Sequence, residues 1–535
     1  MAFIKVQKLV RDGNKIVSGS ASIVDTRYVP GDQYHAKHSV IERLGKVLYL
    51  NDNRREGIFL SPTRGLIAYN VDQDLFSEVS EDDPRISDKI SNKAPLIHTV
   101  FGDLYLLLKF LEKQALYPVL RSVFSKKSDY ERLLGHILHG VLKDGSKIHC
   151  DDFLRKSCAA YLFSDVNIDS FKSDVKFYTA MGADEARMNF FRSLVKYMRT
   201  LSPNFGKGCY VDSTPLPNDL RNNPFNALCS HGVAAVSVQM RLVLVLDEES
   251  GIPVWYDIIP GNILDLSTTM NVLNDVAVSL GVEIKSLILD AGYVTKELLN
   301  VFNLNSEKKI IGRMPAKKGF PHKQLYWDCK NLISRGKYEF VLNEHTYFGY
   351  KKEILVFGLK EYAYIYVDRE NALHGFRQYL ENNEDEFESL KDKDKDWLSV
   401  KYGYFVLLSN HSLLPRDLLR EYFERTNIEY VFKTSKEYLG LLPISKWTDA
   451  TVRGKILHDI IDTIIVLMLR KQYDSTGFSL SEIFGRCQSL MCFNNGGRIC
   501  VESPNKQTKR FYSLFGLDVP ATVSVFDLKN MIGNM

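Results

Sequence analysis

Two aspartates and one glutamate, far apart along 535 residues, are the side chains best suited to carry chemistry. Asp212 ends the strand-like run Cys209-Tyr-Val-Asp212. Asp290 closes Ser286-Leu-Ile-Leu-Asp290, a short, continuous apolar run of the kind that forms a buried strand. Carboxylates on neighbouring strands are hard oxygen ligands that can hold two divalent ions about 3.5–4 Å apart, one activating an attacking oxygen and the other stabilising a leaving one. Taken singly, each aspartate reads equally as a turn residue or a helix cap. The third acid has companions: Tyr422, Arg425, Glu429 and Lys436 stand at offsets 0, 3, 7 and 14. At about 100° per residue they fall within about 60° of one another on a continuous helix and form a polar stripe about 21 Å long. Leu419, Phe423 and Val431 fall on another side and can face a core. Glu429 could then complete the metal site while Arg425 and Lys436 grip phosphates on either side of it. Without the two aspartate strands, such a stripe is a solvated helix face with ordinary ion pairs.

These residues must be positioned by an α/β framework. After Pro203 the pattern alternates strands and helices: strands at 209–212, 240–247 and 252–259, the last two joined by Glu248-Glu-Ser-Gly, then a helix from Leu266 to Leu280 capped by Asp265, then the strand ending at Asp290. Strand, strand, strand, helix, strand is the order of a ribonuclease H-like mixed sheet. The expected organisation is a small β-rich segment over 1–90, a helical domain over 91–200, a core over 205–312 and 401–475, a β-rich insertion over 313–400, and a C-terminal region, 476–535, of unread role. A continuous helix is expected from Arg416 to Leu439, and the apolar stretch Ile456–Leu469, interrupted by His458, Asp459 and Asp462, reads as a buried helix rather than a membrane span.

Composition narrows the class without deciding it. The chain is 45% hydrophobic and 25% charged, the balance of a multidomain globular protein, and a net charge of +4 is compatible with nucleic acid but too small to argue for it. Eight scattered cysteines without a C-x2-C pair suggest neither disulfides nor a zinc ribbon. Cys487, Cys492 and Cys500 lack a completing histidine, and His136 and His139, one helical turn apart, lack further ligands, so all five are expected to be ordinary packing or surface residues. Gly206-Lys-Gly does not have phosphate-loop spacing, which leaves ATP-driven chemistry without support. The N-terminus shows no secretion signal, and Asp257 is a spare acid of undecided role.

Tyr422, Arg425, Glu429 and Lys436 together match Y-x2-R-x3-E-x6-K, and the chain here resembles the DDE insertion-sequence transposases marked by that signature. Val211-Asp-Ser-Thr, Asp290-Ala-Gly-Tyr and Pro260-Gly-Asn-x-x-Asp265 are similar in context, and the resemblance covers about 205–475. It implies a ribonuclease H-like catalytic core in which Asp212, Asp290 and Glu429 bind two Mg2+ ions, with Mn2+ able to substitute. Tyr422, Arg425 and Lys436 would contact terminal phosphates, and an aromatic residue of the insertion, with Trp327 as the choice, would hold a flipped base. The implied activity is metal-dependent cleavage and strand transfer, with double-stranded DNA as partner (element ends and target) and a homodimer on paired ends. The implied setting is a prokaryotic cytoplasm, associated with the nucleoid. Two alternatives stay open: a nuclease of the same fold that does not join strands, and a non-enzymatic DNA-binding protein derived from a transposase.

Overall fold

The computed structural model describes residues 2–12, 15–27, 37–61, 64–80, 83–86, 98–143, 149–163, 166–172, 174–218, 223–228, 238–262, 265–495 and 497–533. The chain divides into two compact units, Met1–Ile97 and His98–Met535. In the first, six strands between Ala2 and Glu78 pair in sequential antiparallel order. Their alternation sends Phe59, Ile23, Leu44 and Tyr69 into one apolar cluster and the adjacent Ile58, with Leu48 and Ala68, into another.

The second unit is mixed α/β. Its principal sheet contains β1 (Gly208–Pro217), β2 (Val238–Asp247), β3 (Pro253–Pro260), β4 (Ser286–Leu289), β5 (Lys309–Arg313), β6 (Glu339–Leu342), β7 (His345–Val356), β8 (Leu359–Asp368) and β9 (Tyr404–Ser409), in the spatial order β3-β2-β1-β4-β5-β9-β8-β7-β6. β2 is antiparallel to both β1 and β3, whereas β4 runs parallel to β1 and to β5. The β2–β3 turn is set by Asp247, whose carboxylate accepts the Ser250 and Gly206 N–H groups at 2.8 and 2.7 Å, and by Gly251 at φ +66°. β4 is continuously apolar because both its faces are covered, and Leu287, Ile288 and Leu289 are fully buried. Helix α1 (Asp265–Leu280) links β3 to β4, and the Asp265 side chain, expected to cap it, lies outside the described residues.

The segment expected as an insertion does not leave this sheet. β6, β7 and β8 pair in turn onto β9, and β9 pairs with β5, so hydrogen-bonded strands run without a break from β3 to β6. Around them sit α2 (Lys296–Asn303), α3 (His322–Ile333), α4 (Pro415–Glu424), α5 (Asn427–Lys433) and α6 (Asp449–Tyr473).

Ile456–Leu469 is the buried heart of α6, as expected, and among the described residues no helix is long and apolar enough to cross a membrane. α6 crosses the helix Val175–Met181 at glycine: a Cβ on Gly454 would come within 1.9 Å of the Tyr178 carbonyl oxygen, and one on Gly182 within 1.8 Å of that of Ala450. The C-terminal residues close over the helix Gly102–Lys113. Tyr512 donates to the Gly102 carbonyl at 2.6 Å, Met491–Asn495 pairs with Thr99–Val100, and Tyr130 donates to the Ile532 carbonyl.

Candidate active site

The β1–β4 ladder ends on the pair Val211 and Leu289, so the next residue of each strand, Asp212 and Asp290, stand abreast. Paired residues of a parallel ladder share a face. The pleat also sorts the neighbouring acid: Asp212 is in line with Leu244 and Tyr256, whereas Asp257 is in line with Val243 and Ser213 and faces the other way. There it lies 3.7 Å from Arg187, and burial raises its carboxyl pKa. Asp257 is thereby separated from the pair.

α4 and α5 close over the two aspartates. The Arg425 guanidinium donates to Asp212 Oδ2 at 2.7 Å, and the Tyr422 hydroxyl donates to Asp290 Oδ1 at 3.2 Å. The Asp212–Arg425 pair is largely withdrawn from solvent, with side chains 19% and 13% exposed. Burial works against the Arg425 charge, but Tyr422, Asp212, Asp290 and Glu429 around it hold its pKa above the usual value. Burial, then the Asp290 charge, pushes the Tyr422 hydroxyl up to about 12, against the opposing pull of Arg425 and Arg313. Arg425 Nε is buried without a hydrogen-bond partner, so the guanidinium has a donor to spare.

The helix carrying these groups is not continuous. It stops at Glu424, restarts at Asn427, and passes into a π-helical turn over Thr434–Tyr438. At the joint the hydrogen bonds tighten to an i to i+3 pattern, and the Thr426 hydroxyl donates back to the Phe423 carbonyl at 2.8 Å, as β-branched hydroxyl residues do within helices. Arg425 and Thr426 keep right-handed helical angles, so the polar stripe survives the joint. Lys436, in the π turn, donates to Thr214 Oγ1 at 2.5 Å and to the Pro215 carbonyl at 2.9 Å, two and three residues beyond Asp212, and burial lowers its pKa.

Glu429 is exposed, one turn past Arg425, close enough to act on the Arg425 charge but outside the hydrogen-bonded group. Among the described residues, sets of three ligand atoms within 4.8 Å of one another occur at His345, Asp368 and Glu370 and at His458, Asp459 and Asp462, not at Asp212, Asp290 and Glu429. The donors at the aspartate site are nonetheless hard carboxylate oxygens on a shared sheet face with a third acid nearby, which suits Mg2+ or Mn2+ rather than a softer ion.

Other sequence candidates lie elsewhere. Trp327 on α3 packs edge-on against Tyr326 at 4.7 Å, with Lys393 over its ring at 4.8 Å, in an aromatic cluster with Trp397 and Tyr404. His136 stacks on Phe177 at 4.3 Å and His139 meets Phe153 edge-on, the packing of core histidines. Cys487, Cys492 and Cys500 are free thiols, and burial pushes that of Cys487 up to about 12.

Arg313 is a site residue that the sequence did not disclose. The β4–β5 ladder ends on Leu289 and Gly312, which sets Arg313 beside Asp290. Asp212, Asp290 and Arg313 thus form a row from the middle of β1 across the carboxyl ends of β4 and β5, and the Arg313 charge reaches Tyr422. A lone arginine after an apolar strand has no period of its own, so only the strand register reveals it.

No protein-family model matches the chain, and no curated protein matches it. Among solved structures, a cryo-EM structure of a piggyBac transposase synaptic complex with hairpin DNA is similar over 77% of this chain and 76% of that one, with 10% sequence identity and a TM-score of 0.38.

Proposed function

We propose that the chain is a DDE-class transposase with a ribonuclease H-like core, which cleaves the phosphodiester at the ends of a mobile element and transfers the freed 3′-hydroxyl to target DNA. The observation that carries this reading is Asp212, in the middle of β1, standing abreast of Asp290, just past the end of β4, each bonded to a different member of the Tyr422–Arg425–Lys436 stripe. The order β3-β2-β1-β4-β5, antiparallel then parallel, supports the ribonuclease H-like assignment.

Asp212, Asp290 and Glu429 would hold two Mg2+ ions, with Mn2+ able to replace them, which supply activation of the attacking oxygen and stabilisation of the leaving one. Tyr422 orients Asp290 through its hydroxyl and Arg425 orients Asp212. The spare Arg425 Nε donor, Arg313 and Lys436 are suited to phosphate oxygens along a strand laid over the row. The work asked of the protein is positioning and charge stabilisation, and no covalent enzyme intermediate is needed. Double-stranded DNA is the substrate on this reading, and pairing of two ends would bring two copies of the chain together.

The test uses a duplex containing the DNA that flanks the gene, with Mg2+ or Mn2+. Asp212→Asn, Asp290→Asn and Glu429→Gln are near-isosteric and should each lower cleavage by about a thousandfold or more, equivalent to about 4 kcal/mol of transition-state stabilisation, with duplex binding largely retained. Cleavage that persists in any of the three refutes the assignment. A pre-cut end supplied with target DNA should be joined by the unchanged chain, and a failure to join would reduce the activity to that of a nuclease.

A further inference from the structure

The six-stranded sheet of the first unit has two unlike faces. One is closed by the apolar cluster around Phe59, and the other carries a smaller cluster in which Ile86 packs with Ile58 and Ala68. The rest of that second face belongs to the strands Ala2–Asp12, Lys15–Arg27 and Lys37–Leu50. Side chains directly opposite on neighbouring strands share a face, so the register sets Lys5, Ser22 and Arg43 in one row and Gln7, Ser20 and Lys46 in the next. Five of these six are exposed, Ser22 is half-buried, and neither row holds a carboxylate. Strand spacing and rise put Lys5 and Arg43 about 10 Å apart and the two rows about 7 Å apart.

A bulge brings two of these cations together. Residues three apart in a regular strand point to opposite sides, as Arg43 and Lys46 would. Here Gly45 pairs with Ala21 and Arg43 with Ser22, which leaves Leu44 as an extra residue. Leu44 turns into the apolar cluster, Gly45 takes φ +85°, and Arg43 and Lys46 emerge on the same side. Their lack of partners sets them apart within the unit. Arg55, Arg64 and Arg85 are held by Asp72, Glu42 and Asp83 at 2.6, 2.7 and 2.8 Å, whereas Lys5, Arg43 and Lys46 make no ion pair among the described residues. Unmatched cations interleaved with hydroxyl and amide groups are suited to phosphate oxygens.

We propose that this face binds the phosphate backbone of duplex DNA without reading its sequence, with Lys5, Arg43 and Lys46 as the charged contacts and Gln7, Ser20 and Ser22 as neutral ones. The choice of DNA rests on the DNA-processing reading above, but the binding itself needs neither metal nor cleavage. An anionic lipid surface is the competing ligand, because Phe3, Val40 and Leu60 are also exposed. Phe3 and Val40 lie in line with Val24 on one side of the cations and Leu60 pairs with Lys46 on the other, so the apolar surface is split where a membrane-seated face is continuous.

The experiment is an anisotropy titration of a short fluorescent duplex of arbitrary sequence with the full chain in EDTA, repeated at several salt concentrations. Combining Lys5→Gln, Arg43→Gln and Lys46→Gln should flatten the slope of log affinity against log salt by about 0.9 for each lost phosphate contact, about 2.7 in all, with the melting temperature unchanged because all three side chains are exposed. Combining Arg55→Gln, Arg64→Gln and Arg85→Gln removes the same charge from paired positions and should leave the slope as it was. A slope unchanged in the first variant, or flattened equally in both, overturns the proposal. So does binding of the unchanged chain to phosphatidylserine vesicles that the first variant loses while its duplex slope stays the same, which would assign the face to a membrane. If the slope is unchanged while Asp290→Asn abolishes cleavage, the face falls and the transposase reading stands. If the slope flattens as expected while the unchanged chain cuts no duplex, the face stands and the transposase reading falls.

Discussion

At the scale of single residues, the phosphate contact proposed for Lys436 would be held ready by neutral partners. Its ammonium group is parked on Thr214 Oγ1 and the Pro215 carbonyl, neutral acceptors that a phosphate can outbid. Lys436→Ala should therefore leave the fold intact, weaken duplex binding about equally across sequences, and reduce the slope of log affinity against log salt by about 1, read from filter binding at several salt concentrations. An unchanged slope would remove Lys436 from the interface. Tyr422, Arg425 and Lys436 were legible because a helical period converts spacing into a shared face. Arg313 and Thr214 were not, since they join the site through strand register, which depends on partners tens of residues away. Trp327 was chosen as an aromatic residue in the right segment, yet its ring is occupied by Tyr326 and Lys393.

At the scale of elements, the seam between α2 and β8 contains a titratable flaw. Glu361 is fully buried on β8; one carboxyl oxygen accepts from Asn303 Nδ2 at 2.6 Å and the other has no partner. Burial raises its pKa to about 7 from 4.5, with Asn303 opposing. The folded chain therefore keeps this proton to near pH 7 while the unfolded chain releases it near 4.5. Stability should fall as pH rises between those values and level off above them, by about 3 kcal/mol in all. Glu361→Gln should abolish that component, so the variant should melt above the unchanged chain at pH 8 and near it at pH 4.5, as differential scanning fluorimetry can measure. Equal melting temperatures at pH 8 would show that Glu361 finds a partner when ionised. Elements with strong periods, such as α6 and the apolar β4, were readable in advance. The expected single helix over Arg416–Leu439 broke where Thr426 back-bonds and again at the π turn, local competitions to which a 3.6-residue pattern is blind. The strands of 313–400 were recognisable as strands, but their membership of the principal sheet is a tertiary choice.

At the scale of the whole molecule, the region after residue 475 acquires a role that its sequence did not suggest. Phe511, Tyr512, Phe515 and Leu528 belong to the same buried cluster as the helix Gly102–Lys113, and Lys113 donates to the Phe515 carbonyl at 2.7 Å. A chain ended at Asp474 should lose this cover and bind a hydrophobic dye such as ANS with a broadened melting transition; a sharp, dye-free transition would show the cover to be dispensable. The unbroken sheet has a mechanical consequence. Between Asp290 after the end of β4 and the Phe357 turn that leads from β7 into β8 run continuous hydrogen-bonded ladders, β4 to β5, β5 to β9 and β9 to β8, with no linker to act as a hinge. On the proposed function, a duplex end laid across this sheet would meet a stiff template and would itself have to bend or fray to fit. Preference among element ends would then arise partly from the ease of deforming DNA, and TA or CA steps next to the cut should be processed faster than rigid A-tracts without any base being read.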